Sequence, residues 1–474
     1  MSVETILTIL VLLAGFYMAW NIGANDVSNA MGTSVGSGAL TLFKAVIIAG
    51  ILEFCGAFFL GGNVSRTMQQ GIVNPDIFAH NPQILLYGML SALLSTALWL
   101  QVASYFGWPV STTHAIIGAL LGFGALAGGM HAVQWSEVGR IALSWVISPA
   151  LSGLFAYMIF SVLQRKILFA MNPIHATRKL IPVLVFIVLF VFTLSILTNG
   201  MGSLHIHLNT IETFFVGCGV GLIGGLISFF VLKKVYVPKP QMVSANTSQQ
   251  VFSLNKAVRH LKRVKLTSKG ERKEQVSRLL RDVEDYAEEV REHSNLYTAS
   301  SDYKIVEKMF ASLQIMSAAY VAFAHGANDV ANAIGPVAAC FEIIRKGHLS
   351  MTSSVSPWLL ALGGVGIVVG LATWGWRVME TIGRKITELT PTRGFSAEFG
   401  AAVTILFASK FGLPISTTHC IVGAVLGVGL ARGISALNIR VLRDIVLSWI
   451  ITIPSSAIVC VLIFYLIRAI FLKA

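Results

Sequence analysis

Charge is scarce in this sequence. Only 12% of its 474 residues are Asp, Glu, Lys or Arg, where soluble domains carry roughly 25%. That shortage excludes an ordinary water-exposed domain. Acids are scarcer than bases, 22 against 35, leaving a formal net charge of +13. The excess does not imply a nucleic-acid partner, because much of it lies in one hydrophilic stretch and in short loops, as membrane orientation requires. Cysteine is sparse too. Cys55, Cys218, Cys340, Cys420 and Cys460 are scattered through apolar segments without a CxxC pair or a metal-ligand spacing, so they read as small buried residues. Alternating segments of about ten residues, the mark of an outer-membrane barrel, are missing. So is a basic region ahead of the first apolar run: Glu4 precedes Ile6–Trp20, which therefore reads as a retained first span and not a signal peptide.

Apolar runs fill the space that charge leaves. Hydrophobic residues make up 55% of the chain and the mean hydropathy is +0.74. The runs fall at 4–20, 40–62, 83–106, 112–130, 138–164, 180–200, 209–232, 309–325, 357–376, 397–411, 414–432 and 440–470. Lengths near 20 predict an all-α polytopic membrane protein with about twelve crossings. The predicted organisation is a first transmembrane repeat over 1–165, two connecting helices over 166–232, a basic linker over 233–308 and a second repeat over 309–474. In the linker Val276, Leu279, Leu280, Val283 and Tyr286 recur at helical spacing between charges. With the linker cytoplasmic, twelve Lys or Arg of the short loops fall inside and six outside, which places both termini outside. Arg345 and Lys346 are the clearest exceptions.

Internal duplication is explicit. Gly23–Ala30 reads GANDVSNA and Gly326–Ala333 reads GANDVANA. Pro109–Gly122 reads PVSTTHAIIGALLG and Pro414–Gly427 reads PISTTHCIVGAVLG. Leu143-Ser144-Trp145 matches Leu447-Ser448-Trp449, each with Pro149 or Pro454 close behind. The copies are 303 to 305 residues apart, and on the count of twelve, seven crossings separate them. Seven is odd, so the second copy enters the membrane the opposite way. The expectation is an inverted-topology repeat with broken helices and re-entrant segments, the arrangement of secondary transporters.

Each octapeptide sets an ionisable residue, Asp26 or Asp329, inside apolar sequence, at about 2.5–3.5 kcal/mol on insertion scales. Asn25, Asp26 and Asn29, like Asn328, Asp329 and Asn332, share one side of a helix. Carboxylates with amide oxygens suit a hard cation. In the second motif Pro109 and Pro414 are good helix starters. They bring Ser111, Thr112 and Thr113, and Ser416, Thr417 and Thr418, to a first turn whose N–H groups attract anions. Helix capping is the plainer role for the serines. His114 and His419 are open between structural and proton-carrying roles. Glu53 and Glu398 are the other acids in apolar surroundings, with cation ligand, proton site and gate all open. Cations screening the acids from an anion between them would give cation-coupled anion uptake. A hydrolase built on Ser111, His114 and Asp26 would need two active sites in so symmetric a chain.

These motifs resemble those of the inorganic phosphate transporter family, which includes sodium-dependent and proton-coupled carriers. The resemblance covers about 5–165 and 309–470. It implies an inverted-repeat helical fold, a homodimer, and phosphate and cations bound where the halves meet. Carried over by position, it implies ion and phosphate sites at Asp26, Asn29, Asp329 and Asn332 and phosphate at Ser111, Thr112, Ser416 and Thr417; with the residue reading above, the expected phosphate ligands are Asn25, Asn29, Ser111, Thr112, Thr113, Asn328, Asn332, Ser416, Thr417 and Thr418. Sodium would be held by Asp26, Asp329, Asn25, Asn328, Glu53 and Glu398. Ser28 departs from the family, which commonly has Ala there. The expected function is import of inorganic phosphate coupled to sodium, or else protons, by alternating access, in a bacterial inner membrane and without a cofactor. A sulfate or other oxyanion permease and an anion channel are the alternatives.

Overall fold

The structure is a computed structural model that describes residues 2–170, 172–199, 209–234, most of 253–293, 297–349, 355–376, 379, 389–433 and 437–471. Among these residues the chain is helical between short connections. The first half runs through α1 (Val3–Asn25), α2 (Val27–Gly36), α3 (Leu42–Leu60), α4 (Gly62–Gln70), α5 (Pro82–Tyr105), α6 (Thr112–Ala127) and α7 (Trp135–Leu163). A packed pair follows, α8 (Pro173–Asn199) and α9 (Thr210–Lys233), and then α10 (Glu271–His293). The second half contains α11 (Tyr297–Lys346), α12 (Pro357–Trp374), α13 (Pro391–Lys410), α14 (Thr417–Arg432) and α15 (Ile439–Phe471). The first octapeptide straddles a one-residue interruption at Asp26, whereas the second lies inside the uninterrupted α11. In the linker, Lys262 Nζ meets Glu284 Oε1 of α10 at 2.8 Å.

Among the described residues eight helical stretches are long and apolar enough to cross a bilayer, where the sequence suggested about twelve. Two causes account for the difference. α6 and α14 have 16 residues each, about 24 Å at 1.5 Å per residue, short of the ~30 Å hydrocarbon core. α11 and α13 bury polar groups in the stretch that would span, including His325, Asp329 and Glu398.

Small residues set the helix contacts. α9 turns Gly217, Gly221 and Gly225 towards Phe186 and Phe190 of α8, a small-residue seam of the kind membrane helices use. Its other faces expose Phe215, Ile223 and Phe230, as lipid contact requires.

The two halves are interlocked. α1 packs on α12 and α11 on α3; α6 packs on α15 and α14 on α7. Two of these crossings bring backbone against backbone. A Cβ on Gly23 would overlap the Ile367 carbonyl, and one on Gly326 would overlap the Glu53 carbonyl. Gly370 meets the Trp20 carbonyl and Gly56 that of Phe323 in the same reciprocal way. Gly23 and Gly326 are 303 residues apart, but Glu53 and Ile367, like Gly56 and Gly370, are 314 apart. The positional counterpart of Glu53 is therefore Ile367, not Glu398.

Gly326→Ala is expected to force α3 and α11 apart, at about 1–3 kcal/mol for overpacking. It should lower the thermal midpoint of the detergent-purified protein. Gly219→Ala, with nothing within 4 Å of the added Cβ, should not. Equal midpoints for the two variants would show that the crossing tolerates a methyl group.

Candidate functional site

Two matching turns build the site. α5 and α13 both end on a glycine with positive φ, 67° at Gly107 and 65° at Gly412. Trp108 N bonds Ala103 O at 2.9 Å and Gly107 N bonds Ser104 O at 3.1 Å; Leu413 N to Ala408 O (3.1 Å) and Gly412 N to Ser409 O (3.0 Å) repeat the pattern. This is a Schellman closure, and glycine takes the left-handed position without a Cβ penalty. The chain then passes through Pro109 or Pro414 to Ser111 or Ser416, whose Oγ accepts the backbone N–H of His114 (3.1 Å) or His419 (3.2 Å). The prolines thus lie two residues before the caps rather than at the first helical position. Ser111 and Ser416 act as capping groups, and Ser111 has no ring partner in His114 of the kind a hydrolase would use.

The octapeptides hold these turns. Asn25 Nδ2 donates to Ser104 Oγ (3.0 Å) and to the Trp108 carbonyl (3.1 Å). Asn328 Nδ2 donates to Ser409 Oγ (3.0 Å) and the Leu413 carbonyl (3.2 Å). Each amide uses its N–H groups in this way and leaves Oδ1 buried without a protein partner. The turns also grip each other: Thr113 Oγ1 donates to the Ile415 carbonyl at 2.9 Å, and Thr418 Oγ1 approaches the Val110 carbonyl at 3.3 Å.

The N-termini of α6 and α14 converge on the two acids. Thr112 Oγ1 donates to Asp26 Oδ2 at 2.6 Å and lies 3.5 Å from Asp329 Oδ2. Thr418 Oγ1 donates to Asp26 Oδ1 at 2.9 Å, and Thr417 Oγ1 to Asp329 Oδ2 at 2.8 Å. Asn332 Nδ2 reaches Thr112 Oγ1 (3.1 Å) and Thr113 Oγ1 (3.2 Å). The side chain of Asn29 lies outside the described residues. Asp26, Asp329, Ser111, Thr112, Ser416, Thr417 and Thr418 are all buried, so the cluster is closed to solvent. Asp329 Oδ1 and Asn332 Oδ1 join the two amide oxygens as buried acceptors without a protein partner. A cluster short of donors but rich in acceptors fits a cation.

A third ionisable group stands in the same cluster. Ligand atoms of Asp26, His325 and Asp329 lie within 4.8 Å of one another. His325 Nδ1 is 2.8 Å from Glu53 Oε2 and Nε2 is 3.0 Å from Asp329 Oδ2, the latter contact poorly aligned for a hydrogen bond. Glu53, expected to bind sodium, sets Oε2 against His325 and keeps Oε1 buried without a protein partner. Sequence reasoning overlooked His325 because it lies one residue before the second octapeptide, where the first half has Ile22. That single mismatch was the available signal. Glu53 and His325, which meet across the two halves, thus correspond to the apolar residues Ile367 and Ile22 at the reciprocal crossing.

Glu398 sits apart, in a shell of its own. It accepts from Thr33 Oγ1 (2.6 Å), Ser34 Oγ (2.6 Å) and Gln314 Nε2 (3.1 Å) on Oε1, and from Ser317 Oγ (2.5 Å) on Oε2. All five side chains are fully buried. Gln314 and Ser317, one helical turn apart on α11, and Thr33 and Ser34, just past the first octapeptide, had escaped attention as isolated polar residues.

The comparisons with known proteins agree with this geometry. Residues 22–460 match the model of the phosphate transporter family. The chain belongs to the phosphate transporter family. A candidate phosphate permease of Chlamydia pneumoniae is 45% identical over 470 residues, covering 98% of this chain and 99% of that protein. A chloroplastic inorganic phosphate transporter of Arabidopsis thaliana is 43% identical over 454 residues, 95% of this chain and 70% of its own. A solved structure of a sodium-dependent phosphate transporter superposes with a TM-score of 0.80 at 35% identity, covering 98% of this chain and all of that one. This phosphate transporter is therefore a multi-pass membrane protein of a family of carriers rather than enzymes, and its substrate is phosphate.

Proposed function

We propose that the protein is a secondary active transporter importing inorganic phosphate with sodium by alternating access between two inverted repeats, 1–165 and 309–474. The observation that carries this reading is the meeting of Asp26 and Asp329 beneath the paired Ser-Thr-Thr turns. At an effective dielectric of about 20, two charged carboxylates within 4.8 Å of each other repel by more than about 3 kcal/mol. An anion brought alongside them adds to that repulsion unless cations enter with it. Sodium bound by Asp26, Asp329 and the free oxygens of Asn25 and Asn328 relieves both repulsions. Phosphate then meets the hydroxyls of Ser111, Thr112, Thr113, Ser416, Thr417 and Thr418, the amides of Asn29 and Asn332, and the two helix N-termini. Glu398 and its hydroxyl shell form a further sodium position, and Glu53 acts through His325. The closed chamber is the occluded step of the cycle. The structural relative named as sodium-dependent favours sodium over protons. The linker lies in the cytoplasm with both termini outside, and the protein works as a homodimer.

The test is labelled phosphate uptake into proteoliposomes with sodium and proton gradients imposed separately and sulfate as competitor. An inward sodium gradient should drive phosphate above its equilibrium level, and excess sulfate should leave uptake intact. Accumulation only with a proton gradient would reassign the coupling ion. Failure to accumulate under either gradient would sink the reading.

A further inference from the structure

The side chains of His114 and His419 take no part in the chamber just described, yet each residue directly follows a Ser-Thr-Thr turn. Their backbone N–H groups close the Ser111 and Ser416 caps. Their rings point away, into a buried cluster shared by both halves. His114 lies against Trp145 of its own half (3.9 Å between centroids) and His419 stacks on Trp449 of its own (3.6 Å). The two imidazoles meet edge to face at 4.4 Å. The polar contacts cross over: His419 Nδ1 is 3.3 Å from the Trp145 carbonyl, and His114 Nδ1 is 3.5 Å from the Trp449 carbonyl. A carbonyl only accepts, so Nδ1 carries the proton. Nε2 of both rings meets no protein partner.

We propose that His114 and His419 are positioning residues that clasp each phosphate turn to the opposite half of the molecule. The inference rests on reading the Ser-Thr-Thr turns as the phosphate-holding surfaces. Proline explains why the Trp145 carbonyl is available. Pro149 lies four residues after Trp145 within α7, and proline has no N–H to give to the carbonyl at i−4. His419 supplies the donor that the helix cannot. The other clasp is weaker by the same logic. Pro454 lies five residues after Trp449, so it deprives Ile450, and the Trp449 carbonyl keeps its helical donor. The turn at Ser416 is therefore held to the first half more firmly than the turn at Ser111 is held to the second. A shift of either half carries the other half's phosphate turn with it.

Phosphate uptake kinetics in sodium-driven proteoliposomes test the clasp. His419→Phe keeps a ring but loses the donor, and should raise KM for phosphate about tenfold, the worth of one hydrogen bond. His114→Phe should raise it less. His419→Asn places an amide N–H where Nδ1 was and should return KM to within about threefold of the wild type; His419→Gln, whose amide reaches the Nε2 position, should not. Pro149→Ala restores a helical donor for the Trp145 carbonyl without touching either turn, and should raise KM in the same direction. It carries the test if His419→Phe does not fold. An unchanged KM in Pro149→Ala and in every folded His419 variant overturns the clasp. So does a fall in maximal rate alone, equal in the Asn, Gln and Phe variants, because that marks a merely structural ring. Absence of uptake by the wild type would instead strike the transport reading.

Discussion

Asp26→Asn and Asp329→Asn should each lower sodium-driven phosphate uptake by about a hundredfold or more, equivalent to roughly 2.7 kcal/mol of barrier, in protein that still purifies folded. The substitution keeps the shape of the side chain and removes its charge. It also turns one acceptor oxygen into a donor. Asp26 now accepts from Thr112 and Thr418 on its two oxygens, so an amide would set an N–H against a hydroxyl and disturb the turn as well as the cation. Asp329 accepts from Thr417 and faces His325, so neutralising it also withdraws one of the two carboxylates that touch that imidazole. Initial rates in proteoliposomes, with size-exclusion profiles as the folding control, measure the effect. Near-normal rates in both variants would remove the cation argument.

The second large effect concerns Glu53 and His325. Both are buried and paired at 2.8 Å. Removing one partner of such a pair costs about 3–5 kcal/mol because the other is left buried and uncompensated. His325→Ile and Glu53→Ile should each destabilise by that order. The double variant places at this crossing the residue types that Ile22 and Ile367 supply at the reciprocal one, and should recover most of the loss, since an apolar pair of similar volume often replaces a buried ionic one without penalty. A double-mutant cycle on unfolding in detergent measures this. Additive losses would show that the two residues do not act as a unit.

Much of the chamber was legible in the sequence, because duplicated motifs carry their own evidence. Asp26, Asp329, Thr112, Thr417 and Thr418 could be named from two short strings, and the structure brings them together. What stayed hidden lay where the duplication is imperfect. His325 replaces Ile22 at the residue just before the shared string. Glu53 could not be aligned with a counterpart because the spacing between copies shifts from 303 to 314 after the first helix, and its nearest partner is 272 residues away. The shell around Glu398 draws on α2, α11 and α13 at once, and contacts across three helices leave no periodic trace. The count of about twelve apolar segments exceeds the eight long apolar helices among the described residues for a physical reason. Hydropathy registers an apolar segment whether or not it is long enough to traverse, and α6 and α14 are not.

The exchange of partners between the halves also bears on how the protein is made. Gly23 finds its opposing backbone at Ile367, 344 residues later in the chain. At about 5–20 residues per second, that is roughly 20–70 s of synthesis. For much of that interval the first half stands in the membrane with its glycine face unfilled and only one of the two Ser-Thr-Thr turns present. A nascent chain that has just finished α9 holds one copy of each motif and only half of the chamber. Quality control that reads exposed helix faces would meet its substrate there, and the last helix, α15, closes the structure by packing on α6.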